Sequence, residues 1–148
     1  MVEPKLPDAL RRFDLSGRVA IVTGASSGLG PELARALASI GAQVALVARR
    51  EERLAALADE IGGLAVGADL LDLARISELV PRVAAELGAP EILVNVAGNL
   101  FSADPAEDEP LEAIRQTLDL NLIAPFRLAH EVFPHMRAAG RGSVVNVS

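Results

Sequence analysis

Cysteine, tryptophan and tyrosine are all missing from this sequence of 148 residues. Without cysteine the chain can form neither a disulfide nor a cysteine-ligated metal site, and a cytoplasmic location is the default expectation. The aromatic residues are four phenylalanines, although 51% of the chain is hydrophobic. A core must therefore consist mainly of alanine, valine, leucine and isoleucine, which is typical of parallel α/β sheets.

The sequence also lacks long apolar runs and an excess of positive charge. No apolar run reaches the length of a membrane span, and residues 1–6 lack the apolar stretch of a secretory signal. The net charge of −6 argues against general nucleic-acid binding. No cluster at metal-ligand spacing is evident, so no metal site is predicted. We expect a small-molecule substrate as the partner, with no nucleic acid and no membrane.

A glycine-rich segment is the strongest positive signal in the chain. The apolar run 19–22 leads into Thr23 and Gly24, and Gly28 and Gly30 follow. This order is typical of a strand that passes into a phosphate-binding loop and then a helix. Gly24 permits a tight turn, Gly28 lets the backbone approach a pyrophosphate, and Gly30 lets the helix pack closely on the strand. Without the strand before them and the helix after them, these three glycines could alternatively belong to ordinary turns.

The residues around these glycines extend the prediction. Ser26, Ser27 and Leu29 are expected to bind the cofactor together with the glycines and the N–H groups of the helix start. Pro31 is expected at the first helical position. The predicted apolar face of this helix consists of Leu29, Leu33, Ala36, Leu37 and Ile40.

Strand and helix signals alternate along the rest of the chain. Strands are predicted near residues 18–24, 43–48, 64–68, 91–96 and 142–147, and helices near 29–40, 50–61, 72–87, 111–120 and 121–138. Alternation implies parallel strands joined by right-handed crossovers. The predicted fold is α/β, a Rossmann-type doubly wound parallel sheet, with an N-terminal arm at 1–16 and a dinucleotide-binding domain at 17–148. Its ligand should lie beyond the carboxyl ends of the strands, where strand order reverses.

Two arginines follow the second predicted strand, where an NAD-binding site carries a carboxylate for the ribose hydroxyls. Arg49 and Arg50 could instead bind the 2′-phosphate of NADP(H). We therefore expect NADP(H) as the preferred cofactor, with NAD(H) possible. In the alternative, both arginines are solvated charges at a helix start, or they pair locally with Glu51 and Glu52.

Polar and small residues follow the third and fourth predicted strands. Asp69, before Leu70, either accepts a hydrogen bond from an adenine amino group or caps the next helix, for which Asp72 is an equal candidate. Asn95, Ala97 and Gly98 are predicted to contact the cofactor, because small residues let it approach the backbone. The Asn95 amide could alternatively join neighbouring strands.

These motifs resemble the short-chain dehydrogenase/reductase family from about Phe13 to the last residue. The spacing of Thr23, Gly24, Gly28 and Gly30 matches the family's TGxxxGxG. Residues 95–98 resemble its NNAG with valine at the second position. The resemblance implies that Asp69 contacts adenine and that Asn121 is the catalytic asparagine supporting a proton-relay water. Residues 142–148 look like the strand leading to the catalytic serine.

The resemblance implies an NADP(H)-dependent oxidoreductase that interconverts a carbonyl and a secondary alcohol, with a tyrosine and a lysine moving the proton. No tyrosine occurs here. We therefore expect the chain to be the amino-terminal, cofactor-binding part of such an enzyme, truncated after the fifth strand and inactive alone. A non-catalytic dinucleotide-binding or interaction module is the alternative. The family's helices equivalent to 111–138 pair across subunits, so a homo-oligomer is expected of the complete protein.

Overall fold

The computed structural model describes residues 12–148, and most of the predicted N-terminal arm lies outside them. The strands are β1 (Val19–Thr23), β2 (Gln43–Ala48), β3 (Leu64–Gly67), β4 (Pro90–Asn95) and β5 (Ser143–Asn146). The helices are α1 (Leu29–Ser39), α2 (Ala55–Ile61), α3 (Leu73–Glu86), α4 (Leu111–Leu118) and α5 (Ala124–Ala139).

The five strands form one parallel sheet in the order β3-β2-β1-β4-β5. Val22 of β1 pairs with Leu46 on one side and with Val94 on the other. Strand order therefore reverses at β1, between β2 and β4. The predicted doubly wound sheet is confirmed, and its topology puts a crevice beyond the carboxyl ends of β1 and β4.

The pleat of β1 separates two hydrophobic cores. Val19 and Ile21 point to the face covered by α3 and α5, whereas Ala20 and Val22 point to the face covered by α1 and α2. All four side chains are buried. Because both faces are covered, the central strands are apolar without alternation, as the sequence indicated.

Helix α1 begins at the predicted residue, but the place of Pro31 and part of the buried face differ from the prediction. It starts at Leu29, so Pro31 is its third residue rather than its first. The position is still tolerated, because the first N–H groups of a helix have no partner within it. Gly30 and Ala34 are buried, and the predicted Leu33 and Leu37 are partly buried against the core, whereas Leu29 and Ala36 are exposed. Gly30 and Ala34 lie at the contact because the helix packs closely on the sheet.

The predicted helix at 50–61 is interrupted. Arg50 is extended, Glu51–Arg53 form a 3-10 turn, and α2 follows Leu54, whose side chain is fully buried. The side chain of Glu51 bonds to Gly67 at the end of β3. This contact between elements competes with a regular helix start, and it is invisible to periodicity.

Helices α4 and α5 were predicted as separate helices that meet at residues 120 and 121. The structure joins them through a π-helical segment, Asp119–Ile123, in which the N–H of Ala124 bonds to the carbonyl of Asp119. Pro125 provides a reason, because it has no N–H to donate to the carbonyl of Asn121 four residues earlier. Such π segments occur frequently at functional sites.

Candidate functional site

A cavity of about 530 Å³ lies at the carboxyl ends of β1, β2, β3 and β4. It occupies the position where strand order reverses, as the sequence predicted. The predicted site residues that line it are Gly24, Ser26, Ser27, Gly28, Leu29, Arg49, Asp69, Leu70, Ala97 and Gly98. The predicted residues that do not line it are Gly30, Arg50, Asn95 and Asn121.

Two glycines shape the loop between β1 and α1. Gly24 has a φ of +66°, and a Cβ there would lie 2.7 Å from the backbone nitrogen of Ala97. At Gly30 a Cβ would collide with the carbonyl oxygen of Gly24. Gly30 thus acts by close packing beneath the cavity. Together the two glycines bring the start of α1 against the ends of β1 and β4.

The start of α1 opens on this cavity. Gly28 is its N-cap residue, and no side chain in the described part of the chain caps it by a hydrogen bond. The first N–H groups of the helix are therefore available to an external acceptor. Together with the positive end of the helix dipole, they favour an anionic ligand.

Thr23, the last residue of β1, is bonded to the loop that follows β4 at the edge of the cavity, and the sequence did not assign it a role. Its hydroxyl oxygen accepts the N–H groups of Val96 and Ala97, both at 3.1 Å. The side chain is almost fully buried. A threonine at the end of an otherwise apolar strand was the available signal, because a buried hydroxyl needs partners.

Arg49 contributes the cation in the cavity lining, and Asp69 contributes the acid. Arg49 and Arg50 are exposed, and neither pairs with a carboxylate within residues 12–148. The predicted alternative of local pairing with Glu51 is not seen, because that carboxylate contacts Gly67 and Arg82. Positive charge is thus left at the end of β2.

The two aspartates after β3 have different partners. Asp72 is the N-cap of α3 and accepts the N–H of Ala74 at 2.9 Å. Asp69 accepts the N–H of Leu71 at 3.1 Å and lines the cavity. The capping alternative for Asp69 is therefore wrong. Its contact with adenine stays a prediction.

Asn95 occupies a different place from the predicted one. Its side chain is buried below the cavity lining, and its amide nitrogen donates to the side-chain oxygen of Asn146 at 2.8 Å. This bond joins β4 to β5, which was the alternative reading of the residue. Val96, which departs from the family motif, lies in the cavity lining.

Asn121 lies in the π-helical segment and acts on the cavity through the backbone of Asn99. Its amide oxygen accepts the N–H of Asn99, and its amide nitrogen donates to the carbonyl of the same residue, both at 3.0 Å. Nearby, the hydroxyl of Thr117 accepts the N–H of Phe101 at 3.3 Å. Both Asn99 and Phe101 line the cavity. Two side chains of the α4–α5 region therefore hold one wall of the site.

Several lining residues were missed by the sequence reasoning. They are apolar strand ends and loop residues, namely Val47, Ala48, Ala68, Leu71, Val96, Asn99, Phe101, Leu120 and Val147. Their position directly after the strands was a usable signal for most of them. Leu120 carries no such signal, because it reaches the cavity through the π-helical segment.

Neither a metal-binding cluster nor a membrane-spanning helix occurs among the described residues. Within residues 12–148 there is no cluster of three or more histidine, aspartate or glutamate side chains that could hold a metal ion. None of the helices in this range has the length and apolar character needed to cross a membrane.

Known proteins resemble this chain over most of its length. A family model described as short chain dehydrogenase matches residues 18–148. The D-threitol dehydrogenase of Mycolicibacterium smegmatis is 40% identical over 141 residues, covering 92% of this chain and 54% of that protein. A fatty acyl-CoA reductase of Mycobacterium tuberculosis is 36% identical over 146 residues, covering 95% of this chain and 50% of that protein. The chain thus spans about half the length of the curated relatives it matches.

Solved structures agree with this result. The crystal structure of a metagenomic short-chain oxidoreductase in complex with NADP has a TM-score of 0.84 at 40% identity, covering 90% of this chain and 63% of that one. The crystal structure of a short-chain type dehydrogenase/reductase from Mycobacterium marinum has a TM-score of 0.85 at 34% identity, covering 93% of this chain and 56% of that one.

Proposed function

We propose that this chain, which belongs to the short-chain dehydrogenase family, binds NADP(H) as the cofactor-binding part of an oxidoreductase that interconverts a carbonyl and a secondary alcohol. The observation that carries the proposal is the cavity, whose cation, Arg49, stands where an NAD-binding site carries an acid. The similar metagenomic oxidoreductase is a complex with NADP, which supports the same cofactor.

The residues of the cavity fit a dinucleotide. The open start of α1 suits the pyrophosphate, and a Cβ at Gly24 or Gly30 would push the loop away from its neighbours. Arg49 is proposed to hold the 2′-phosphate, with Ser26 as a further donor, and Asp69 to accept from the adenine amino group. The cofactor would donate the hydride as NADPH or accept it as NADP⁺, while the chain supplies binding and orientation.

The catalytic contribution of these residues is proposed to be partial. Asn121 orients the cavity wall through Asn99 and, by family resemblance, supports the proton relay. The 148 residues contain no tyrosine to move the alcohol proton. We therefore propose that the chain by itself binds the cofactor and does not complete the reaction. The second candidate, a non-catalytic dinucleotide-binding or interaction module, is favoured by this same absence.

A homo-oligomer is proposed from the apolar surface of the α4–α5 region. The exposed side chains there include Leu111, Leu118, Leu122, Phe126 and Phe133. Exposed apolar patches of this kind mark interaction sites, and a second copy is the proposed occupant. The cytoplasmic location and the domain boundary at residue 17 both stay predictions.

The experiment that tests the cofactor assignment is a calorimetric titration of the Arg49→Asp variant with NADP⁺ and with NAD⁺. Loss of a charge-assisted contact to the 2′-phosphate predicts roughly a tenfold or greater fall in NADP⁺ affinity. NAD⁺ affinity should stay the same or rise. Arg50→Asp is the matched control, since it makes the same charge change outside the cavity lining. An unchanged ratio of the two affinities in Arg49→Asp would overturn the assignment.

A further inference from the structure

The outer edge of β3 is covered by two side chains instead of a neighbouring strand. The carboxylate of Glu51 accepts the N–H of Gly67 at 2.8 Å. The guanidinium of Arg82, from α3, donates to the carbonyl of Ala65 at 3.3 Å and lies 3.5 Å from the same Glu51 oxygen. An acceptor and a donor thus meet the outward backbone groups that an edge strand otherwise leaves unpaired.

This arrangement also fixes the turn that carries the two arginines. Ala48, at the end of β2, accepts the N–H of Ala68 through its carbonyl at 2.9 Å. Three residues later, Glu51 accepts the N–H of Gly67. The Arg49–Arg50 turn is therefore attached at both ends, to Gly67, the last residue of β3, and to Ala68 directly after it. Of its two side chains, Arg49 lines the cavity.

The fit at Gly67 is tight. A Cβ added to Gly67 would lie 2.9 Å from a carboxylate oxygen of Glu51 and 3.1 Å from its Cβ. The hydrogen bond from Gly67, and then the one from Arg82, hold the pKa of Glu51 below its ordinary value. The carboxylate is therefore charged at neutral pH, and its partners are Gly67 and Arg82 instead of Arg49 and Arg50.

We propose that Glu51 is a positioning residue, which sets the Arg49–Arg50 turn against β3 and thereby favours the 2′-phosphate of NADP(H) over the 2′-hydroxyl of NAD(H). The inference rests on the proposed function, because it assigns selectivity to the same site. Glu51 itself does not line the cavity. Its effect passes through the backbone of the turn to Arg49.

Electrostatics alone predicts the opposite result, and this makes the proposal testable. A carboxylate close to the cofactor's 2′-phosphate repels it, so its removal should raise NADP⁺ affinity. Positioning predicts that Glu51→Ala lowers NADP⁺ affinity, because Arg49 loses its fixed geometry. Glu52 is the matched control, since it is adjacent, exposed and without a side-chain hydrogen bond among residues 12–148.

The experiment titrates the parent chain and the variants Glu51→Ala, Glu51→Gln and Glu52→Ala with NADP⁺ and NAD⁺ by calorimetry. We expect Glu51→Ala to lose roughly tenfold in NADP⁺ affinity, the equivalent of about one charge-assisted hydrogen bond, with NAD⁺ affinity unchanged. Glu51→Gln keeps an acceptor oxygen and should restore NADP⁺ binding. Glu52→Ala should not weaken it. Thermal unfolding of each variant shows whether it is folded.

Three results would overturn the proposal while leaving the proposed function intact. In the first, Glu51→Ala keeps the NADP⁺ affinity of the parent chain, as Glu52→Ala should, or gains affinity, as electrostatics alone predicts. In the second, it loses both cofactors equally, as a general structural defect would. In the third, Glu51→Gln is as weak as Glu51→Ala, so that the acceptor oxygen does not matter. A parent chain that shows no preference for NADP⁺ would instead overturn the proposed function, and this inference with it.

Discussion

Replacing Asn121 with alanine should release the backbone of Asn99 from the π-helical segment. The change removes two hydrogen bonds of 3.0 Å, one that the N–H of Asn99 donates to the side chain and one that the side chain donates to the carbonyl of Asn99. Both residues are exposed. Partly solvated bonds of this kind together contribute about 1–2 kcal/mol. The cavity wall that contains Asn99 should therefore open more often.

The global stability should change less than this local loss. Alanine is favoured over asparagine within a helix by about 0.6 kcal/mol, which offsets part of the effect. The net fall in the free energy of unfolding is then about 1 kcal/mol or less. Exchange of the Asn99 amide hydrogen should nevertheless accelerate roughly tenfold, because its acceptor is gone.

The assay is amide hydrogen exchange followed residue by residue, together with a denaturant titration. Gln116→Ala is the control, because that amide lies in the same helical region and bonds to Glu112 of its own helix. It should leave Asn99 exchange unchanged. If the Asn99 amide exchanges equally slowly in the parent chain and in Asn121→Ala, the two hydrogen bonds from Asn121 do not hold this part of the cavity lining in place. The role given to Asn121 would then be wrong.

Three further predictions concern Glu91 in β4, Gly30 at the start of α1, and Phe126 on the exposed surface of α5. Glu91 is buried, and its pKa is held low by hydrogen bonds from Arg141 and then Arg18. Glu91→Gln should therefore destabilise the chain at neutral pH by about 2 kcal/mol in denaturant titrations. A pKa that is lower in the folded than in the unfolded state adds stability above the unfolded pKa, and this stability is lost as the pH falls through the folded pKa. The stability difference between the parent chain and Glu91→Gln should therefore vanish in acid, and a difference that does not change with pH would contradict this prediction. Gly30→Ala should cost about 1–3 kcal/mol in the same assay, since its Cβ meets the backbone, and an unchanged stability would refute the close packing. Phe126→Glu, on the α4–α5 surface, should lower self-association in sedimentation; unchanged association excludes this face.

Much of the fold could be predicted because it depends on local signals. Glycine spacing and apolar runs located β1 and α1, and every predicted strand was within a residue or so of its observed bounds. The doubly wound parallel sheet followed from the alternation of strands and helices and from right-handed crossovers. The position of the cavity followed in turn, because parallel strands present their carboxyl ends at one edge.

What could not be predicted depends on contacts between distant residues. The bond from Gly67 to Glu51 spans 16 positions, and the bonds between Asn99 and Asn121 span 22. No periodicity encodes such pairs. The break before α2 and the role of Asn121 follow from them, so both required the structure. The π-helical segment had a local cause in Pro125, which the sequence reasoning did not use.

The assignment of NADP(H) to this cavity is tested most directly by a calorimetric titration of the 148-residue chain with NADP⁺ and with NAD⁺ under identical conditions. We predict one binding site with tighter binding of NADP⁺, because Arg49 lines the cavity and the two residues directly after β2 are arginines instead of an acid. Equal or tighter binding of NAD⁺ by the folded chain would contradict this assignment.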